Sequence, residues 1–385
     1  MRILIVKMSS MGDIIHTLPA LTDAGLAIPG ITFDWVVEEH FAEIPRWHPL
    51  VNQVIPVALR RWRKSFAKPK TWQEWVTFRN TVRATKYDFI IDAQGLLKSA
   101  LVAWNARGKR RGFNKQSARE SWAALFYQQT FFVAKKQHAI SRLRQLFSQI
   151  LGYRVPTTIP DYGIDRAFKV NNSDPYRLCG TYTPFRLNAE PLIKIVDTLD
   201  SVDRQWIETV NIAEDVPDPC ENYLVFLHGT TWKTKHWPES AWIELVKMAT
   251  DDGWTVKLPW GNRIEKERAQ RMAAVSSRAV VLSQQSLRGL ANILSGAKAV
   301  VAVDTGLLHL TAALGVPAVS LYGPTNPILS GALGKSQKNL AVTFPCAPCL
   351  RRECLYPYAL SPPCFSTLSP AVVWSELATC LSLSY

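Results

Sequence analysis

Three places in this 385-residue chain put polar side chains at the end of an apolar run, where an open α/β sheet presents groups to a ligand. The first is Ser9-Ser10-Met11-Gly12-Asp13. Gly12 lets a ligand or a neighbouring backbone come close, and Asp13 stands where a helix should begin. A carboxylate there either caps the helix or takes a proton from a bound hydroxyl. The second is Asp304-Thr305-Gly306-Leu307-Leu308-His309. The amides of Thr305, Gly306 and Leu307 would open a helix unpaired, and the helix dipole adds positive potential, which together suit a pyrophosphate. His309, one turn in, can reach the same phosphate or pack in the core. The third is His228-Gly229-Thr230-Thr231, followed by Lys235-His236-Trp237-Pro238. Lys235 can neutralise a departing diphosphate, or it is a solvated surface lysine. One half of the chain offers a carboxylate and the other offers anion-binding groups. That division suits transfer of a sugar from a nucleoside diphosphate.

These groups need strands to deliver them. Residues 2–7, 33–37, 54–57 and 87–92 are short apolar runs that predict strands, separated by stretches with helical spacing. The alternation restarts after residue 220, with strands expected at 223–228, 255–259, 280–282, 299–303 and 318–322. Helices are expected between them at 240–251, capped by Ser240, and at 265–276, 287–295 and 306–314. Alternating strands and helices imply parallel sheets covered on both faces. The expected organisation is α/β, with a Rossmann-like domain over 1–164, a linker with an insertion over 165–220, a second Rossmann-like domain over 221–369 and a final helix over 370–385. The two domains would face a central cleft.

Composition narrows the function further. Lys and Arg number 45 against 31 Asp and Glu, a net charge of +14 that favours an anionic partner. No apolar run approaches the ~18 residues of a membrane span, and the first residues lack a signal-peptide pattern, so a cytoplasmic protein is expected. No G-x-G-x-x-G follows the first strand, which argues against a dinucleotide dehydrogenase, and no Asp-x-Asp pair is present to hold a divalent ion. Arg60-Arg61-Trp62-Arg63-Lys64 concentrates cations beside a predicted strand end, suited to phosphates and carboxylates. Interleaved aromatics and cations there also faintly fit a non-catalytic nucleic-acid binder. A nucleotide-sugar epimerase on the same architecture would not need that cluster. Cys346, Cys349, Cys354 and Cys364 begin with the C-x2-C spacing of metal knuckles; they are either a structural Zn or Fe site or reduced thiols.

At these residues the chain resembles the bacterial ADP-heptose:lipopolysaccharide heptosyltransferases, most closely the type I branch. The likeness is dense in residues 1–21, 33–39, 54–64, 91–96, 235–238, 257–261 and 303–314. The resemblance implies an inverting, metal-independent glycosyltransferase of the GT-B fold. Its donor would be ADP-heptose, and its acceptor the Kdo of lipid A at the cytoplasmic face of the inner membrane, with no nucleic-acid partner. It further implies Asp13 as catalytic base and Lys235 beside the leaving group. Lys7, Ser10, Thr230, Thr231, Glu265, Asp304, Thr305, Gly306, Leu307 and His309 match donor positions. Arg60, Arg61, Arg63, Lys64, Arg119 and His138 match the acceptor side. The cysteine-bearing C-terminus is more similar to type II and III members, which use an already heptosylated acceptor, so that alternative stays open.

Overall fold

A computed structural model describes residues 1–65, 67–168, 221–356 and 362–382. The first half holds the parallel strands β1 (Arg2–Val6), β2 (Thr32–Glu38), β3 (Val51–Val57), β4 (Lys86–Asp92), β5 (Arg107–Phe113) and β6 (Gln129–Phe131). They lie in the order β3-β2-β1-β4-β5-β6. The second half repeats the plan with β7 (Tyr223–Leu227), β8 (Thr255–Leu258), β9 (Ala279–Val281), β10 (Ala299–Val303), β11 (Ala318–Tyr322) and β12 (Gln337–Ala341), ordered β12-β11-β10-β7-β8-β9. In each sheet the winding reverses once, between β1 and β4 and between β7 and β10. Ligands of open α/β sheets bind outside the strand ends at such reversals. The first two polar stretches follow β1 and β10, and the third follows β7, so all three lie at a reversal.

Central strands form because their residues can be buried on both faces. Every residue of β7, β10 and β11 is buried, as expected for parallel strands covered by helices. Two outer strands break that rule, β5 next to the edge of its sheet and β12 at the edge of the other. β5 is RGKRRGF and β12 is QKNLA, and neither is predicted by its side chains. Backbone pairing holds them: β5 runs alongside β4 and β6, and β12 alongside β11. Arg111 of β5 also lays its guanidinium 3.6 Å over the Phe89 ring.

The longer helices pack around these sheets, together with the short helix that carries Asp13. They are α1 (Met11–Ile15), α2 (Leu18–Ala27), α3 (Pro69–Ala84), α4 (Leu97–Asn105), α5 (Ala139–Leu151), α6 (Glu239–Asp251), α7 (Arg263–Ala273), α8 (Leu287–Gly296), α9 (Gly306–Ala313) and α10 (Pro370–Ser382). Pro238, not the expected Ser240, occupies the N-cap position of α6, without a side-chain cap, because the helix begins one residue before the serine. Buried Ile14 and Ile15 of α1 and Leu308 and Leu310 of α9 belong to one apolar cluster with residues of both sheets. α10 buries Val373, Leu377 and Leu381 in a second cluster shared with α6. Of the segment expected to link the halves, 165–220, only residues 165–168 lie within the described residues; the rest falls outside them.

Candidate active site

Asp13 is the third residue of α1, held by its own turn. The Ser10 backbone N–H and hydroxyl donate to Asp13 Oδ2 at 2.9 and 2.8 Å. Lys7, buried at the end of β1, places its ammonium 3.7 Å from Asp13 Oδ1 and donates to the Ala93 carbonyl at 3.1 Å. Burial alone would raise the Asp13 pKa. The Lys7 charge, the two Ser10 hydrogen bonds and the nearby His16 outweigh burial and hold it down at about 2. Asp13 is therefore ionised throughout the neutral range while 37% of its side chain stays open to solvent.

The second half faces this carboxylate with cations and amides. Thr305 caps α9, and the first amides of that helix have no partner within it. Lys235 does not stand free in solvent. Its ammonium lies 2.7 Å from Asp304 Oδ2, and the Thr325 hydroxyl donates to the same oxygen at 2.6 Å. The Thr230 hydroxyl donates to the Asp304 backbone carbonyl at 3.1 Å. Glu265, in the first turn of α7, accepts from the Gly261 N–H at 2.8 Å. Thr231 is exposed beside them.

The halves meet through histidines. His16 Nε2 and His309 Nδ1 are 3.1 Å apart, and both rings are buried. Burial and mutual repulsion push the His16 pKa well below its ordinary value. Burial takes His309 down to about 4, against the pull of Asp304 and Asp13. His138, expected on the acceptor side, lies in this interface. Its Nε2 is 3.0 Å from the Gly331 carbonyl of the other half, and its ring lies 5.8 Å from that of His16. Two glycines allow the close fit. A Cβ on Gly12 would come 2.6 Å from His309 Cδ2, and one on Gly306 would come 2.8 Å from Met11 Sδ. α1 and α9 are thus interlocked by a missing side chain on each.

The basic cluster at 60–64 sits at the end of β3. All four of its cations are exposed, but Arg61 is committed elsewhere. It pairs with both oxygens of Glu39 and, at 2.8 Å, with Glu74. Arg60, Arg63 and Lys64 are better placed to meet a ligand. Arg60 donates its backbone N–H to Glu38 Oε1 at 3.3 Å. Glu38 is 2% exposed and its Oε2 has no partner, so burial raises its pKa against the pull of Arg60. Arg119 is exposed next to the turn after β4, near Gly95.

Cys346, Cys349, Cys354 and Cys364 line one small pocket together with Thr234, the neighbour of Lys235. All four are free thiols. Among the described residues, no three His, Cys, Asp or Glu side chains are gathered as metal ligands. The spacing therefore brings the thiols to one pocket without closing them into a ligand set.

Sequence reasoning passed over His16, Thr325 and Glu38. His16 had a faint signal, since it lies three residues after Asp13 and so on the same side of that turn. Thr325 and Glu38 had none, because their roles depend on partners far away in the chain.

The histidines give the protein a pH dependence. They are neutral in the fold, whereas unfolded histidines titrate near ~6.5. The unfolded chain therefore gains protons first as pH falls, and the stability these neutral rings allow is complete above ~6.5 and declines toward the His309 value of about 4. Asp13 works in a separate window: its contribution is present above ~3.9 and is lost only as pH falls through about 2. Acidification from pH 7 to 5 should lower melting temperature and kcat/KM together, and His16→Asn should flatten both slopes. Parallel profiles for the two proteins would remove the histidines from the cause.

The model of glycosyltransferase family 9 (heptosyltransferase) matches residues 75–359. The lipopolysaccharide heptosyltransferase 1 of Pseudomonas aeruginosa is 47% identical, covering 99% of this chain and 98% of that protein. Among solved structures, E. coli heptosyltransferase WaaC with ADP is 43% identical with a TM-score of 0.79, over 99% of this chain and 100% of that one. The same enzyme with ADP-2-deoxy-2-fluoro heptose gives 42% and 0.76, over 98% and 99%. The lipopolysaccharide heptosyltransferase 2 of E. coli matches at 35% over 24% of this chain and 28% of its own length.

Proposed function

This chain belongs to glycosyltransferase family 9, the heptosyltransferases, and from that premise we propose that it moves a heptose from ADP-heptose to the Kdo of the lipopolysaccharide inner core. The observation that carries this reading is the opposition of two kinds of group across the His16–His309 contact. On one side stands an ionised carboxylate, Asp13; on the other stand Lys235, Asp304 and the open amides of α9. The acceptor hydroxyl attacks the anomeric carbon as the bond to the ADP oxygen breaks, and Asp13 takes the hydroxyl proton. Attack from the face opposite the leaving group inverts the configuration. Charge grows on the departing diphosphate, so Lys235 and the α9 amides bind it more tightly in the transition state than in the ground state. Lys7, Ser10, Thr230, Thr231 and Glu265 complete the donor side, and no metal is required.

A type II acceptor, already heptosylated, has less support, because the E. coli heptosyltransferase 2 likeness covers 24% of this chain. Purified protein should transfer heptose to Kdo-lipid A and ignore heptosylated acceptors; the reverse preference would overturn the assignment. On the acceptor side, Arg60 and Arg63 can clamp phosphates and carboxylates through their planar forks. Changing both to Ala should raise the acceptor KM about tenfold and leave ADP affinity near its parent value. Arg61 is left intact because its loss would disturb Glu39 and Glu74. Equal losses in both constants would mean the segment is structural.

Lipid A is anchored in a bilayer, so the enzyme would work at a membrane surface, the cytoplasmic face of the inner membrane. Among the described residues, no helix is long and apolar enough to cross a membrane.

The four thiols around Thr234 suit Zn or Fe in kind, and a metal there would brace the loop that carries Lys235. The Thr234 hydroxyl already donates to the Arg351 carbonyl at 2.6 Å, tying that loop to the cysteine segment. About one metal per chain in elemental analysis, with removal lowering the melting temperature, would show that the loops close around an ion. Metal-free protein with an unchanged melt would leave four reduced thiols and no more.

A further inference from the structure

Residues 93–136 carry nine Lys and Arg against a single acidic residue, Glu120, in a chain of net charge +14. The structure gathers exposed apolar side chains on the same segment. α4 turns Ser99, Ala100, Val102 and Ala103 inward. Its outer face, one and two turns apart, presents Leu97, Leu101 and Trp104, with Lys98 among them. The 3-10 segment Ser121–Phe126 lies directly against this helix. Ala123, Phe126 and Tyr127 pack on Ala100, and the Glu120 carboxylate accepts from the Leu97 N–H at 2.7 Å. Arg110 fixes the far end of the segment by donating to the Phe126 carbonyl at 2.8 Å. What this packing leaves outside is Trp122, 73% exposed, and Leu125, 59% exposed, beside Trp104 at 59%.

Tryptophan and leucine on one face, flanked by cations, match the layer of a bilayer where apolar chains meet charged headgroups. Lys98 on α4 itself and Arg119 just ahead of the Ser121–Phe126 segment are exposed, and Arg110 points to this side of β5, whereas Arg107 and Lys109 alternate with it onto the other face of the sheet. The one carboxylate in the segment is occupied by a backbone amide. The charge therefore selects an anionic partner and the aromatic rings select a partly apolar one. The position also fits. α4 starts just after the turn at the end of β4, the same sheet edge that carries Lys7 and Asp13, so a surface lying on this face would sit next to the opening of the cleft.

We propose that the outer face of α4 and the adjoining Ser121–Phe126 segment is the surface by which this protein docks on an anionic lipid bilayer. Trp104, Trp122, Leu101 and Leu125 enter the headgroup layer, and the flanking cations meet lipid phosphates. The inference rests on a bilayer-held acceptor, as in the proposed transfer to lipid A-linked Kdo, and names the face that meets the bilayer.

The test is co-sedimentation of the full chain with vesicles of phosphatidylethanolamine and phosphatidylglycerol, and with phosphatidylcholine alone. The parent should bind the anionic vesicles at least tenfold better and lose that preference in high salt. Trp122→Ser with Leu125→Ser should lower anionic-vesicle binding at least tenfold, and separately Lys98→Glu should lower it severalfold, neither changing the thermal melt. On acceptor dispersed in detergent both variants should keep parental kcat; on acceptor embedded in vesicles they should fall behind. Parental vesicle binding by the serine variant would overturn the proposal. So would a parent that sediments as a dimer and a serine variant that sediments as a monomer with vesicle binding unchanged, which would give the face to a second copy of the chain. If the parent transfers no heptose even to detergent-dispersed acceptor, the proposed reaction fails, whatever the vesicles show.

Discussion

Asp13→Asn should lower kcat by ~10²–10⁴, the usual worth of a general base, while ADP-heptose still binds. Asparagine keeps the size of the side chain and can still accept from Ser10, so the turn survives. It cannot take a proton. The depressed pKa of about 2 sharpens the expectation. So acidic a group is a weak base toward a resting hydroxyl, and it becomes effective only as the attacking oxygen turns acidic in the transition state. The loss should then fall on kcat and spare donor affinity. Asparagine caps a helix about as well as aspartate. A well-folded Asn variant with near-parental turnover would reduce Asp13 to a cap.

The second large effect belongs to Lys235→Met. With the ammonium gone, only the α9 amides meet the charge growing on the departing ADP, and kcat should drop by ~10²–10³. ADP itself should bind more weakly, unlike in the Asp13 variant, because the product carries the same charge. The ion pair adds a separate cost. Asp304 would keep only the Thr325 hydroxyl on its Oδ2, and a buried carboxylate stripped of its cation lowers stability. Adding Asp304→Asn to the Met variant should restore the melting temperature and leave turnover low. If turnover returned along with the melt, Lys235 would be a structural partner of Asp304 and nothing more.

The central strands and the three polar turns were legible because their signals are local. Residues 2–6, 299–303 and 318–322 are apolar and bounded by small or polar residues, and such runs fit only a strand covered on both faces. β5 and β12 escaped notice because these outer strands, one next to an edge and one at an edge, owe their place to backbone pairing, which leaves no mark on side-chain pattern. The site divides the same way. Asp13, Lys235 and the Asp304 turn could be picked from residue type and position. That Arg61 is bound by Glu39 and Glu74, and that His138 crosses to Gly331, depends on neighbours up to 193 residues away. His16 was hidden for the same reason, its partner lying 293 residues along the chain.

The reciprocal fit of α1 and α9 makes certain positions heritable only in pairs. Position 12 has no room for a methyl group while residue 309 is histidine, and position 306 has none while residue 11 is methionine. A side chain gained at either glycine has to be matched by a smaller one at its opposite number. Random mutagenesis under selection for transfer should therefore find position 12 silent by itself and variable together with 309, and likewise 306 with 11. The two halves of the chain, though each has a complete sheet, are not free to drift apart in sequence at the place where they touch.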